Sequence, residues 1–135
     1  MILPGELHYQ PQFLLPYVSA MATATVEYIA HTYVLVKLVE IEGLPTLSLP
    51  GIIHREDTMY GIKDEHHLHE MFSPGDVLIG RVLSLSNSGP IVLSTADPAH
   101  GIITAVDFTT QKRLPIKNGQ ITQNGNVLKR KLASL

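Results

Sequence analysis

The chain lacks cysteine and tryptophan altogether, and only 16% of its 135 residues are charged. Without cysteine there is no disulfide and no cysteine-ligated zinc, a composition that suits a reducing compartment. No run of about 18 apolar residues occurs, so no membrane-spanning helix is expected. The N-terminus has no basic segment followed by a long apolar core, so no secretory signal is expected either. A glycine-rich phosphate loop with its lysine is missing, and so is a Gly-x-Ser-x-Gly elbow. The net charge of −2 lacks the basic excess usual in a protein that binds nucleic acid unaided. Few charges together with positive mean hydropathy leave apolar surface over. That is the composition of a subunit that buries faces against partners.

What is present reads as β structure. Proline and glycine recur throughout, with runs of Val, Ile, Leu and Thr between them. Residues 1–16 hold three prolines and no sustained period, and are expected to be an irregular arm. Tyr17 to Ala30 predicts a strand with Val18, Ala20, Ala22, Ala24, Val26 and Tyr28 on one face. After a tight His31-Thr32 connection, Tyr33 to Ile41 is the most β-prone run in the chain. Gly43 to Pro50 predicts a loop with two prolines, followed by a short strand over Leu49 to His54. Asp64 to Met71 is the one helical stretch, stopped by Ser73-Pro74.

The richest stretch is residues 72–103. Ser73-Pro74-Gly75-Asp76 is a turn, because proline fixes φ, glycine supplies positive φ and aspartate accepts backbone hydrogen bonds. Val77 to Leu85 then predicts a strand whose odd positions Val77, Ile79, Leu83 and Leu85 line an interior, interrupted by Arg81. Gly80 inside it marks a bulge or bend, as a strongly coiled barrel requires. A turn at Ser86-Asn87-Ser88-Gly89 returns the chain into Ile91 to Thr95. Three strands, a short helix and a hairpin are the order of a five-stranded OB-fold barrel. The expected division is an arm at 1–16, an all-β barrel at 17–98 and a small β extension at 99–135. That extension includes Ile102 to Val106 and a basic tail, Lys129-Arg130-Lys131.

Candidate sites are few. His54, His66, His67, His69 and Glu70 form a cluster; on a helix His66 and His69, or His66 and Glu70, would share a face able to hold zinc. Neither spacing matches the His-Glu-x-x-His pattern of zinc hydrolases, and a solvated helix explains the cluster more simply. The paired carboxylates Glu56-Asp57 and Asp64-Glu65 read as solvated loop residues. Tyr33 and His54 sit on barrel strands where an outward ring either stacks on a base or covers neighbouring apolar surface.

The stretches LLPYVSAMATATVEYIAHTYVLV, GIIHRED, FSPGDVLIGRVLSLS and LSTADPAHGII together resemble the S1 domain. More closely, they resemble the S1-domain cap subunit of the RNA exosome, of the Csl-four type, over about residues 14–133. The Pro-Gly-Asp entry is general to S1 domains; the Thr-Ala after Leu-Ser and the following Gly-Ile-Ile are particular to the exosome subunit. The resemblance implies a non-catalytic protein without cofactor. It would dock on the RNase PH-like ring beside other S1/KH cap subunits and help guide single-stranded RNA to 3'–5' processing and degradation, ribosomal RNA included. It would act in nucleus, nucleolus and cytoplasm. The implied RNA contacts are Tyr33 and His54, with Arg55 and Arg81 as cations.

Three departures from the family pattern stand out. The family's N-terminal β domain is represented only by the arm around Pro4-Gly5-Glu6. At the ligand positions of the archaeal zinc ribbon stand Asp107, Thr110, Ile121 and Asn124, so a metal-free remnant is expected. Val36, Ser86 and Pro90 occupy the positions of the second aromatic, the aspartate and the arginine of generic S1 surfaces, so RNA affinity is expected to be weak and salt-sensitive. Two alternatives remain: a free-standing S1/OB RNA-binding module of the translation machinery, and a histidine-ligated metal enzyme.

Overall fold

The computed structural model describes residues 18–85 and 89–134. The expected arm at 1–16, Tyr17 and most of the Ser86–Gly89 turn lie outside them. Five strands close a barrel: β1 (Met21–Ile29), β2 (Tyr33–Ile41), β3 (Leu44–His54), β4 (Val77–Ser84) and β5 (Ile91–Ser94). The hydrogen-bonded order is β1-β2-β3-β5-β4, and β4 pairs back onto β1. Among these five strands β3 and β5 pair in parallel and the other pairs are antiparallel. This is the five-stranded OB-fold barrel expected from the element order.

The interior is built from alternate positions. Ala22, Ala24 and Val26 of β1, Val34, Val36 and Leu38 of β2, and Leu78 and Val82 of β4 are buried. In β4 the interior parity is therefore even, and the odd positions Val77, Ile79 and Leu83 are not the core face. Leu85, past the strand's end and its register shift, does pack against the core as expected. Arg81, read as an interruption, instead marks the outward face. Gly80 faces inward opposite Ala22. A Cβ on Gly80 would lie 2.9 Å from the Ser94 carbonyl oxygen. Small residues on both strands thus let the barrel close.

In β1 the expected face holds from Ala20 to Val26 and then fails. The register shifts between Val26 and Tyr28, leaving Glu27 as an extra residue. A bulge of this kind reverses the facing of everything beyond it. Ile29, not Tyr28, enters the core, while Tyr28 is 55% exposed. Val18, at the start of the expected strand, is also exposed.

The Gly43–Pro50 loop is replaced by an early start of β3 at Leu44. Glu42 and Gly43 both take positive φ (52° and 80°), making the two-residue hairpin turn that favours strand twist. Among the described residues, 44–50 pair only with β2, whereas 51–53 also pair with β5. Among these residues Pro45 and Pro50 therefore occupy a segment paired on one edge, where a missing N–H on the other is tolerated. The helix is also shorter than expected: α1 spans Leu68–Met71, and residues 64–67 precede it as turn and extended chain. Leu68, Met71 and Phe72 are buried in the same cluster as the barrel interior and cover one end of it.

Beyond the barrel, β6 (Gly101–Val106) pairs with β4 and with β7 (Arg113–Leu114). A small sheet follows, β8 (Ile116–Lys117), β9 (Gln120–Gln123) and β10 (Asn126–Val127). The chain then returns to the barrel: Ile102 donates its N–H to Lys131 O at 2.8 Å, and Ala133 donates to Ile102 O at 3.0 Å. Gly101, at φ 138°, permits this approach, since a Cβ there would meet Lys131 O and Leu132 C. Asp76 locks the junction. Its fully buried carboxylate accepts N–H groups of Ser73 (3.0 Å) and Val106 (2.9 Å) and pairs with Arg130 at 3.2 Å.

Candidate nucleic-acid interface

Residues directly opposite on neighbouring strands share a face. Val34 and Ile53 are buried opposites, so the next pair, Tyr33 and His54, faces outward, and both are half-buried. A second outward row crosses four strands: Tyr28 opposite Leu35, Leu35 opposite Ile52, and Ile52 opposite Val92. The outer surface of β1, β2, β3 and β5 thus presents two rings, an imidazole and three aliphatic side chains. Aromatic groups on such a surface provide sequence-tolerant platforms for unstacked bases. Simple alternation places Tyr28 on the same face as Ala20 to Val26. Only the Glu27 bulge turns it out, and bulges leave no reliable mark in a single sequence.

The position of His54 is set by hydrogen bonds from elsewhere. The chain leaves β3 into a 3-10 turn, Arg55–Asp57. The Arg55 N–H donates to Thr32 O at 2.8 Å, and Asp57 O accepts from Thr95 N at 2.9 Å and Ser94 Oγ at 3.2 Å. Thr95 Oγ1 donates to Thr58 O at 2.9 Å, and both threonines are fully buried. The Leu-Ser-Thr-Ala motif therefore anchors the turn that follows His54. Its hydroxyls are structural.

The cations divide. Arg81 lies opposite Met21 and Ser94 on the outward side of β4. Arg55 bends over its own loop, with Nη2 donating to Lys63 O (2.7 Å) and His66 O (2.6 Å). Its Nη1 is buried with no hydrogen-bond partner among the described residues. Close to His54, burial holds the Asp57 carboxyl above its ordinary value; the Glu56 charge adds to this and His54 opposes it. Val36 is 2% exposed and belongs to the core. The outward position beside Tyr33 is Leu35, so the expected surface substitution at Val36 is not a surface position at all. Pro90 is half-buried next to β5, and Ser86 lies outside the described residues.

The histidine cluster does not assemble a metal site. Because α1 begins only at Leu68, His66 and His67 share no helical face with His69 and Glu70. His66 Nδ1 accepts the Lys63 N–H at 2.9 Å, and Glu70 lies 3.5 Å from Lys129. Among the described residues no three His, Asp or Glu side chains are placed to hold an ion. The zinc-ribbon positions are held by other means. Asp107 Oδ1 accepts the N–H groups of Thr109 (2.9 Å) and Thr110 (3.0 Å), while Oδ2 accepts from Gln123 Nε2 at 2.5 Å. These bonds, that of Thr110 first, hold its carboxyl below the ordinary range. Ile121 is fully buried in the core cluster.

No protein-family model matches the chain. Over 105 residues it is 30% identical to the exosome complex component CSL4 of Homo sapiens, covering 76% of this chain and 54% of that protein. The CSL4 of Mus musculus is 29% identical over the same length, with the same coverage. The chain thus spans about half the length of the curated relatives it matches. Among solved structures, the intact alpha subunit of aIF2 from Pyrococcus abyssi superposes with a TM-score of 0.47 at 17% identity, covering 58% of this chain and 28% of that one. The resemblance read from the motifs is therefore a sequence relationship to CSL4 that extends across three quarters of the chain.

Proposed function

We propose that this relative of CSL4 is a non-catalytic, RNA-binding cap subunit of the RNA exosome. The observation that supports it most strongly is the 105-residue relationship to CSL4, which includes the Leu-Ser-Thr-Ala motif that positions His54. The subunit docks on the ring of RNase PH-like proteins beside other S1/KH cap subunits. It offers single-stranded RNA a surface on its way to the nuclease, in nucleus, nucleolus and cytoplasm, with ribosomal RNA among the substrates. Tyr33 and His54 stack on bases and Arg81 meets a phosphate. Arg55, spent on the carbonyls of Lys63 and His66, orders the loop behind His54.

Magnitudes argue for help from neighbours. A stacked base is worth about 1–3 kcal/mol, so two platforms contribute about 2–6 kcal/mol in all. A millimolar dissociation constant already corresponds to about 4 kcal/mol. Such a surface guides RNA that other subunits also hold, and it performs no chemistry. The experiment is reconstitution: the purified chain, added to an exosome ring prepared without it, should co-elute in size-exclusion chromatography. Separate elution at micromolar concentrations would overturn the assignment.

The self-contained Tyr33–His54 face favours a second reading, a free-standing RNA-binding module of the translation machinery. That reading requires tight binding of single-stranded RNA by the isolated chain and no association with the ring.

A further inference from the structure

The near-neutral net charge conceals a sharp segregation. All twelve Asp and Glu residues precede position 108, together with only four of the ten Lys and Arg, giving that part a formal charge of −8. Residues 108–135 carry the other six, Lys112, Arg113, Lys117, Lys129, Arg130 and Lys131, and no carboxylate side chain, for +6. Residues 108–135 are therefore a cationic segment attached to an anionic remainder.

Two of the six cations are committed to structure. Arg130 is paired with Asp76, and Lys131 Nζ donates to the carbonyls of Asp97 and His100. The other four are exposed. Lys112 and Arg113 lie at the start of β7. Lys117 stands opposite Gln120 on the β8–β9 hairpin; the neighbouring pair places Ile121 in the core, so Lys117 points away from it. Lys129 makes one long contact, 3.5 Å, with Glu70, and borders a cavity of about 490 Å³ that His66 and His67 also line. Around them the extension exposes carboxamides, Asn118, Gln120, Asn124 and Asn126, and one large aromatic, Phe108, at 65% exposure.

We propose that the extension is a second RNA-binding surface, on which Lys112, Arg113, Lys117 and Lys129 hold the phosphate backbone of single-stranded RNA. Glu70 and Glu65 border this surface only beside Lys129. Its excess of cations attracts a polyanion, carboxamides donate to phosphate and base edges, and an exposed ring accepts a stacked base. Beside His54, by contrast, stand Glu56 and Asp57, which repel phosphate. The barrel face supplies stacking and the extension supplies charge. This inference needs RNA binding by the chain but does not need the exosome assignment.

The test is fluorescence anisotropy of the whole chain with a labelled oligouridylate at several salt concentrations. Each phosphate contact on a single strand contributes about 0.7 to the slope of log affinity against log salt. Four contacts give a slope near 3, a loss of about 50-fold between roughly 50 and 200 mM salt. The variant with Lys112, Arg113, Lys117 and Lys129 all changed to alanine should lose most of that slope and most of its low-salt affinity. Its thermal melting should match the wild type, since all four side chains are exposed. Tyr33→Ala should lower affinity and leave the slope unchanged. An unchanged slope in the fourfold variant would overturn the inference, as would a wild type that fails to bind at low salt. Displacement of the RNA by polyglutamate at equal charge concentration would also overturn it, showing a site for acidic protein. Failure here leaves co-elution with the ring unaffected, so the two readings are tested apart.

Discussion

The carboxylate of Asp76 offers the sharpest stability prediction. It is fully buried, accepts two backbone N–H groups from Ser73 and Val106, and faces an Arg130 side chain that is itself only 11% exposed. Through these contacts one side chain joins the turn before β4, the end of β6 and the C-terminal return. Asp76→Ala leaves two N–H donors without acceptors and a guanidinium without a counter-charge. An unsatisfied buried donor costs about 1–3 kcal/mol, and breaking a buried ion pair costs about 3–5 kcal/mol. These terms overlap, so the expected loss is about 3–5 kcal/mol in urea denaturation at neutral pH. Asp76→Asn keeps an acceptor and should lose less. The double variant with Arg130→Met should recover part of the alanine loss, because the stranded cation is gone; coupling on the order of 1 kcal/mol or more is expected. A loss below about 1 kcal/mol for Asp76→Ala, or additive behaviour in the double variant, would refute the clamp.

Other expectations concern pH and packing. Burial raises the Asp76 carboxyl above its ordinary 3.8. The pH-dependent part of its contribution is therefore fully present below that unfolded value and declines as pH rises through the folded one, while the hydrogen bonds and ion pair lost in Asp76→Ala persist at neutral pH. The advantage of wild type over Asp76→Asn should shrink from acid toward neutral pH. Asp107 has the opposite sign: its carboxyl is held low, so its contribution is present above the ordinary value and lost as pH falls through the folded one. Amide exchange at Thr109 and Thr110, measured by NMR, should rise in Asp107→Ala and in acid. Gly51→Ala would press a methyl group against Leu38 and to 2.9 Å from Val36 Cγ2, with an expected cost of about 1–3 kcal/mol by chemical denaturation. Tyr33→Ala should weaken RNA binding by about 1–3 kcal/mol, read by anisotropy, without lowering the melting temperature beyond about 2 °C.

The barrel was legible because its signals are local and periodic. Tyr33–Ile41 begins and ends where the β-branched run does, and the Pro-Gly-Asp turn marks the entry to β4. What escaped was set by tertiary context. Tyr28 faces out only through the Glu27 bulge. The parity of Val77–Ser84 is decided by what packs across the barrel, although Arg81 carried the clue. Pro45 and Pro50 looked like loop residues because a sequence does not tell which strand edge will be unpaired. The helix shrank to Leu68–Met71 because His66 caps the Lys63 turn instead of entering the helix. Of the candidate site, Tyr33 and His54 could be singled out by residue type, and register places them side by side. Arg55 was visible as a cation, but nothing local showed that two carbonyls would claim it. The Leu-Ser-Thr-Ala motif carries the resemblance in the sequence, and its hydrogen bonds to the Asp57 and Thr58 carbonyls explain why those residues are there.

Affinity purification is the direct test of the proposed membership of the exosome cap. A tagged copy of the chain, expressed at native level in its own cells, would be recovered under gentle conditions and its partners identified by mass spectrometry. RNase PH-like ring subunits should co-purify in near-stoichiometric amount and remain after RNase treatment, since the proposed docking is protein to protein. Recovery of the chain alone, or with ribosomal proteins and no ring subunit, would contradict the assignment.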